Sequence, residues 1–589
     1  MMNPMSRSYL GVLTWAVLTA VAVAGGPTDQ ELLKTLPEAE LALKDTLDHW
    51  GLPFSDQLRR FTQAQQYWLD LLGAEAPKDF MLGTQHGLEK IPKNKYWFKG
   101  AYGNRVHLQA ARNEAESFQV AVLPAIGKKL GRVTLASGPL RQENGPGVIA
   151  ATAFTIYRVG YVQTVPPQYP VLYVGPWPDV LLPNGPLEIA GTDLGLFWVD
   201  VKVPRDAAPG AYHGQLTLEA DGHRVPVEVH LRVHSFALPD RVPFPIAVWT
   251  GATWPPGQKM SPEDYRRTLA MFLEHGVDPI SVGKEGVVLD KLDLPAFDEN
   301  IEFCLARGLQ RFEIPNSVKS PEKLRPLVEH LRQKGWLDKA LVYSSHDEPT
   351  EETLRESNIP FYRQMKKLYP DLQVYLASQH YQGIDQACDI WMSDVSTALG
   401  AGFAAEHRGR SELWFYYCHL PIHVDFCRPL VHAPNVQIDN EAIEHRLAPW
   451  LAWKYQTPGM FIWAGNRSWT IQEGDSTGWE KTGWQLSAKI ATFPFGGIHN
   501  GNGFLLYPGP HPSIRLKVLR DGVEDYGYLM ELKRRRLRAA VPETPIQEAD
   551  AALAVPPAIL VDAHYFNRNP NGLLQTREAI AQLIETLAE

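Results

Sequence analysis

The hydrophobic pattern changes period twice along the chain, and those changes mark its parts. Over 28–80 apolar residues recur at helical spacing. Leu58, Phe61, Trp68 and Leu72 fall near one face, which predicts an amphipathic helix with Ser55 as its N-cap. Nothing in this segment carries chemistry. Over 90–240 the period becomes two. Phe118, Val120 and Val122 alternate with polar neighbours, as do Val199, Val201 and Val203, then Tyr212, Leu216 and Leu218, then Val225 to Val233. Asn184-Gly185, Pro209-Gly210 and Asp221-Gly222 punctuate them as turns. Short alternating strands with such turns predict an antiparallel sandwich.

Pro239, Pro243 and Pro245 mark a linker. Over 245–535 short apolar runs alternate with helix-like spacers. The runs begin at Ile246, Pro279, Phe312, Leu341, Val374, Ile390, Leu413 and Met460. Eight such runs predict a (β/α)8 barrel. A ninth run, Phe504 to Tyr507, leaves the count open by one. Leu519, Val523, Tyr526 and Leu529 or Met530 predict a closing helix, and the Ala- and Pro-rich 541–557 reads as a loop. Within a C-terminal segment 558–589, residues 571–588 read as a last amphipathic helix. The expected fold class is therefore multidomain: an N-terminal antiparallel β-sandwich, then a (β/α)8 TIM-like barrel, with helical decorations at both ends.

Residues 1–24 read as a signal peptide. Arg7 supplies the positive start, Leu10 to Val23 is apolar, and Ala22-Val23-Ala24 offers small residues for cleavage after Ala24. The apolar run is shorter than the roughly 20 residues that a membrane span needs. The expectation is export, to a secreted or periplasmic location. A net charge of −9 leaves no basic surplus for nucleic acid. The 17 Trp, 22 Tyr and 22 Phe suit a neutral ligand with apolar faces, such as a sugar. Cys304, Cys388, Cys418 and Cys427 allow three pairings, and the sequence does not choose among them. Cys418, His419, His423 and Cys427 match no zinc spacing and read as buried thiols or one disulfide beside ordinary histidines. No Walker loop or Gly-rich dinucleotide turn is present, so no metal or nucleotide cofactor is implied.

In such barrels the chemistry lies at the C-terminal ends of the strands. The fourth run ends Tyr343-Ser344-Ser345-His346-Asp347-Glu348-Pro349. Adjacent carboxylates repel, and partial burial raises at least one pKa, as a general acid requires. Ordinary glycosidases hold two carboxylates about 5–5.5 Å or about 6.5–9.5 Å apart. Neighbours on a strand point to opposite faces, so residues 347 and 348 are not expected to flank one bond. Their roles would differ: one protonates the glycosidic oxygen, the other steadies a 2-acetamido group that attacks the anomeric carbon itself. Candidate substrate-binding residues on or near strand ends are Tyr375, His380, Asp394, Trp414, Tyr416 and Trp463. Arg515, Arg520, Asp521, Glu524 and Asp525 read as an ion-paired network closing the barrel. Asn466-Arg467-Ser468 fits the N-glycan acceptor pattern.

Several stretches resemble glycoside hydrolase family 123: Asp347-Glu348-Pro349; Gly503 to Gly509 followed by Pro512 to Leu516 and Leu519 to Tyr526; and Arg112-Asn113-Glu114 with Val203-Pro204, Pro209-Gly210 and Tyr212. The resemblance spans about 90–530. It implies a retaining β-N-acetylgalactosaminidase working by substrate assistance on a glycan or glycolipid end, with Glu348 as acid/base and Asp347 orienting the acetamido group. Two other readings stay open. One is a two-carboxylate glycosidase on sugars without an acetamido group, pairing Glu348 with Asp394 or Glu313. The other is a non-catalytic carbohydrate-binding protein on the same fold.

Overall fold

The computed structural model describes residues 29–34, 36–167, 169, 171–254, 258–381, 386–400, 409–418, 433–466, 484–485, 500–539 and 542–587. The expected signal, Cys427, His419 and His423 lie outside them.

The N-terminal helix runs Phe54–Leu72 and buries Leu58, Phe61 and Trp68 as its spacing demands. Ser55 is not its cap. Pro53 occupies that place without a side-chain bond, because Phe54 is itself drawn into the core and starts the helix earlier.

Two seven-stranded sheets follow. One is ordered Ala101–Tyr102, Phe80–His86, Ala115–Pro124, Gly195–Lys202, Phe154–Gln163, with Pro176–Pro183 beside the last. The other centres on Gly210–Ala220 and His223–Ala237. Asp221 and Gly222 both take positive φ and close the latter hairpin with Ala220 opposite His223, the two-residue turn their identities predict. The pairing is not wholly antiparallel. Arg105–Arg112 runs parallel to His223–Ala237, and Trp484–Gln485 runs parallel to Phe154–Gln163. Nor do the central strands alternate between core and water: Ala115–Pro124 is buried at every position and Gly195–Lys202 at all but the last. Their polar face is covered by the helix Ile514–Arg538, against which Ser117 and Asp200 bond to Arg520.

Seven of the eight barrel runs form strands of one eight-stranded parallel sheet, in the order Val277–Pro279, Ile246–Val248, Met460–Ile462, Glu412–Tyr417, Ile390–Asp394, Gln373–Ala377, Ala340–Tyr343, Phe312–Ile314; the run that begins at Pro279 enters only by that residue, its strand lying earlier and its remainder forming a 3₁₀ turn. The barrel is nearly closed. Its two end strands share no ladder; instead the 3₁₀ turn Ile280–Gly283 fills the seam. A Cβ on Gly283 would stand 2.6 Å from both the Glu313 carbonyl and the Phe312 ring, so only glycine lets the turn approach this closely. Alternate residues face inward as a separate apolar cluster that includes Leu341, Tyr343, Tyr375, Met392, Trp414 and Tyr416. The ninth run is no barrel strand: Leu506–Tyr507 pairs with His511–Pro512. The expected closing helix is Ile514–Arg538, capped by Ser513. The supposed loop at 541–557 holds a helix, Glu543–Leu553. Its proline falls in the first turn, where no backbone N–H is required, and its alanines favour helix, two of them buried. The last helix runs Pro570–Thr586.

The anticipated ionic network is present, and it ties sheet to barrel. Arg515 reaches Asp179 at 3.0 Å, Lys517 reaches Asp200 at 2.7 Å, and Arg446 bonds Asp525 at 2.6 Å. Arg577 of the last helix bonds both Asp525, at 2.9 Å, and Glu114.

Candidate active site

The strand Ala340–Tyr343 ends at Tyr343, four residues before Asp347. Residues 344–348 form a bend rather than more strand, and Glu348 takes a φ of +40°, a left-handed conformation that costs a non-glycine residue roughly 1 kcal/mol or more. The alternation argument for opposite faces therefore fails. The bend lets both carboxylates meet tyrosines of the barrel interior.

Tyr343 donates its hydroxyl to Asp347 Oδ1. Tyr416 donates to Glu348 Oε1 at 2.6 Å. The end of the neighbouring strand clamps both: the Ala377 N–H donates to the Tyr343 oxygen at 3.3 Å, and the Ala377 carbonyl accepts the Glu348 N–H at 3.1 Å. From below, Asn358 holds the bend by donating to Ser344 Oγ and the His346 carbonyl, both at 2.9 Å. Both acids keep solvent access at the mouth. The crowded rim still raises the Asp347 carboxyl above its ordinary range, chiefly by desolvation and further by the Glu348 charge, while the Tyr343 bond and Lys284 oppose the rise.

A second charged group lies beside them. Glu313, buried on the third strand, accepts the Trp249 indole N–H at 2.9 Å and pairs with Lys284 at 2.5 Å. Burial raises its carboxyl, and Lys284, Tyr375 and Trp249 offset part of that. The Lys284 ammonium lies 4.9 Å from the Trp249 ring centroid.

The predicted binding residues divide. Tyr416 and Asp394 sit opposite each other at adjacent strand ends, with Tyr416 on Glu348 and Asp394 Oδ1 accepting the Thr397 N–H at 3.2 Å. Trp463 follows the eighth strand, is half-buried against the inward cluster and bonds Asn502. His380 lies half-buried after the fifth strand, where its neighbour Tyr381 crosses to the Pro349 carbonyl at 2.8 Å. Tyr375 is buried and turns its hydroxyl to Trp249 at 3.2 Å, so it supports the site from within the barrel. Trp414 is no sugar platform. Its ring packs on Gly459, ahead of the eighth strand, and its N–H donates to Glu412 at the start of its own strand, at the end of the barrel away from the acids. Asn466 is fully buried, both amide atoms clasping the Gly251 backbone at 2.9 Å, which leaves no nitrogen for a glycan. Cys304 and Cys388 are free and buried, and Cys418 is buried. Among the described residues no group of three His, Cys, Asp or Glu side chains is placed to hold a metal.

Trp249, Lys284 and Tyr343 were not anticipated. Tyr343 carried a signal, since it ends the strand that leads into the acid pair. Lys284 carried none, because the seam that delivers it exists only in the folded barrel.

Residues 320–532 match the glycoside hydrolase 123 catalytic-domain model. This segment is a family 123 catalytic domain. A solved family 123 glycoside hydrolase from Clostridium perfringens, known for glycolipid glycan hydrolysis, shares the fold with a TM-score of 0.60 at 14% identity, over 86% of this chain and 97% of that one. A Bifidobacterium dentium beta-glucuronidase is much less similar, with a TM-score of 0.27 at 10% identity over 76% of this chain and 67% of its own. No curated protein matches by sequence. The family 123 segment takes in the Asp347–Glu348 bend, Tyr375, Tyr416 and most of the helix Ile514–Arg538; Trp249, Lys284 and Glu313 precede it.

Proposed function

We propose that this family 123 domain is a retaining β-N-acetylgalactosaminidase that removes terminal residues from glycan or glycolipid ends by substrate assistance, and that the chain is exported. The supporting observation is the seating of two adjacent acids by two different tyrosines. Glu348, held by a single hydroxyl, keeps its other oxygen available to give a proton to the leaving glycosidic oxygen and later to take one from water. Asp347, tied to Tyr343, orients and polarises the acetamido N–H so that the amide oxygen closes on the anomeric carbon. The raised pKa of Asp347 favours a carboxyl that shares the proton of that amide. A two-carboxylate scheme through Glu313 is less suited, because that carboxyl is buried and already paired with Lys284.

The test is turnover of aryl β-GalNAc and of matched aryl glycosides lacking the acetamido group, by wild type, Glu348→Gln and Asp347→Asn, with a thiazoline mimic of the cyclic intermediate as inhibitor. Wild type should cleave only the acetamido substrate and be blocked by the thiazoline. Cleavage of both substrates alike would overturn the assisted mechanism, and saturable binding without turnover would leave a carbohydrate-binding protein.

A further inference from the structure

We infer that Lys284 is a substrate-binding residue of this site, its ammonium donating to an oxygen of the terminal sugar beside the acetamido group, with Glu313 as the residue that positions it. The inference rests on the reading above and deepens it.

Four observations carry it. The barrel seam is filled by the turn Ile280–Gly283, and Lys284 is the next residue, so the chain enters the mouth where the strand ladder is missing. The ammonium pairs with Glu313 at 2.5 Å and lies on the Trp249 ring, 4.9 Å from its centroid. Trp249 in turn meets the ring of Tyr343 edge-on at 5.5 Å, the tyrosine that holds Asp347. An ammonium has three donors. Among the described residues the single ion pair leaves the others without a protein acceptor, and the Lys284 side chain is 27% exposed while Glu313 is 3% exposed. The arrangement is a buried anchor with a solvent-facing donor, the usual way a polar contact is aimed into a pocket. Glu313 is itself fixed by the Trp249 N–H, so the ammonium has little room to swing away. Trp249 and Tyr343 lead from the ammonium to Asp347, which places it on the acetamido side.

The experiment compares wild type, Lys284→Arg, Lys284→Met and the double variant Lys284→Met/Glu313→Gln on aryl β-GalNAc across pH, with thermal melting of each. The double variant removes the ammonium without leaving a buried unpaired carboxylate, since Gln still accepts from the indole. Both Met variants should raise KM about tenfold or more with a smaller change in kcat, and Arg should restore part of it. Unchanged KM in a folded double variant would overturn the proposal, as would a displaced acidic limb of the pH profile with KM unaltered, which marks an electrostatic role only. Absence of turnover by the wild type itself would instead strike at the N-acetylgalactosaminidase reading.

Discussion

At the scale of single residues the site is two carboxylates, each answered by one phenol. Glu348→Gln removes the proton donor, and kcat on aryl β-GalNAc should fall by about 10²–10⁴-fold. Tyr416→Phe keeps the acid but loses the 2.6 Å bond that aims it, so kcat should fall by about tenfold with thermal stability nearly unchanged. Equal kcat in Tyr416→Phe and wild type would show that the hydroxyl does not orient the acid. Tyr343→Phe acts on the other partner. The Tyr343 bond favours the ionised form of Asp347, so its loss lifts the folded pKa further. If the ionised form works, the acidic limb of kcat/KM must move to higher pH. A shift to lower pH in a stopped-flow or plate-assay profile would contradict that sign.

At the scale of elements the seam of the barrel is the place where packing sets chemistry. Gly283 touches the third strand so closely that even alanine drives a Cβ into the Glu313 carbonyl. Gly283→Ala should cost about 1–3 kcal/mol, read as a lower urea midpoint, and should raise KM because Lys284 is displaced with it. Such a contact cannot be seen in a linear pattern. The period of two, the eight apolar runs and the Asp-Gly hairpin were legible because each is a local property of the chain. The seam, the parallel pair Arg105–Arg112 with His223–Ala237 and the burial of both faces of Ala115–Pro124 were not, because they depend on what packs from elsewhere. The acid pair was legible as a motif, while its geometry was not: strand alternation placed the two acids on opposite faces, and the left-handed turn at Glu348 brings both to barrel tyrosines. Trp414 failed for a related reason. Sequence puts it on the right strand but does not say which end of the barrel its ring leans toward. The helix Glu543–Leu553 was missed because of Pro545, which is harmless in a first turn.

At the scale of the whole molecule, the sheet, the barrel and the last helix meet around buried charge. Glu114, Glu116, Asp200, Asp521, Glu524 and Asp525 face Arg446, Lys517, Arg520 and Arg577, six acids against four bases. The balance is struck by protons. Burial raises the carboxyls of Glu116, Asp521 and Glu524 despite their arginine neighbours. Asp200 differs: burial pushes it up, but Lys517 and Arg520 hold it well below its ordinary range. The signs oppose each other in pH. Asp200 adds stability above the ordinary carboxylate range and loses it only in strong acid. The three raised acids add stability below that range, and it drains away as pH climbs through their folded values. Between about pH 5 and about pH 8 these carboxyls lower stability as pH rises, while His86, His275 and His445, which burial holds below their ordinary range, raise it, so the carboxyl effect is read as a difference between variant and wild type at fixed ionic strength. Glu116→Gln replaces one of the raised acids by a group that stays neutral, and its melting temperature should gain on that of wild type from about pH 5 to about pH 8. Parallel curves for the two proteins in scanning calorimetry would mean that Glu116 remains charged where sheet and barrel meet, and that the surplus of acids is neutralised by another group.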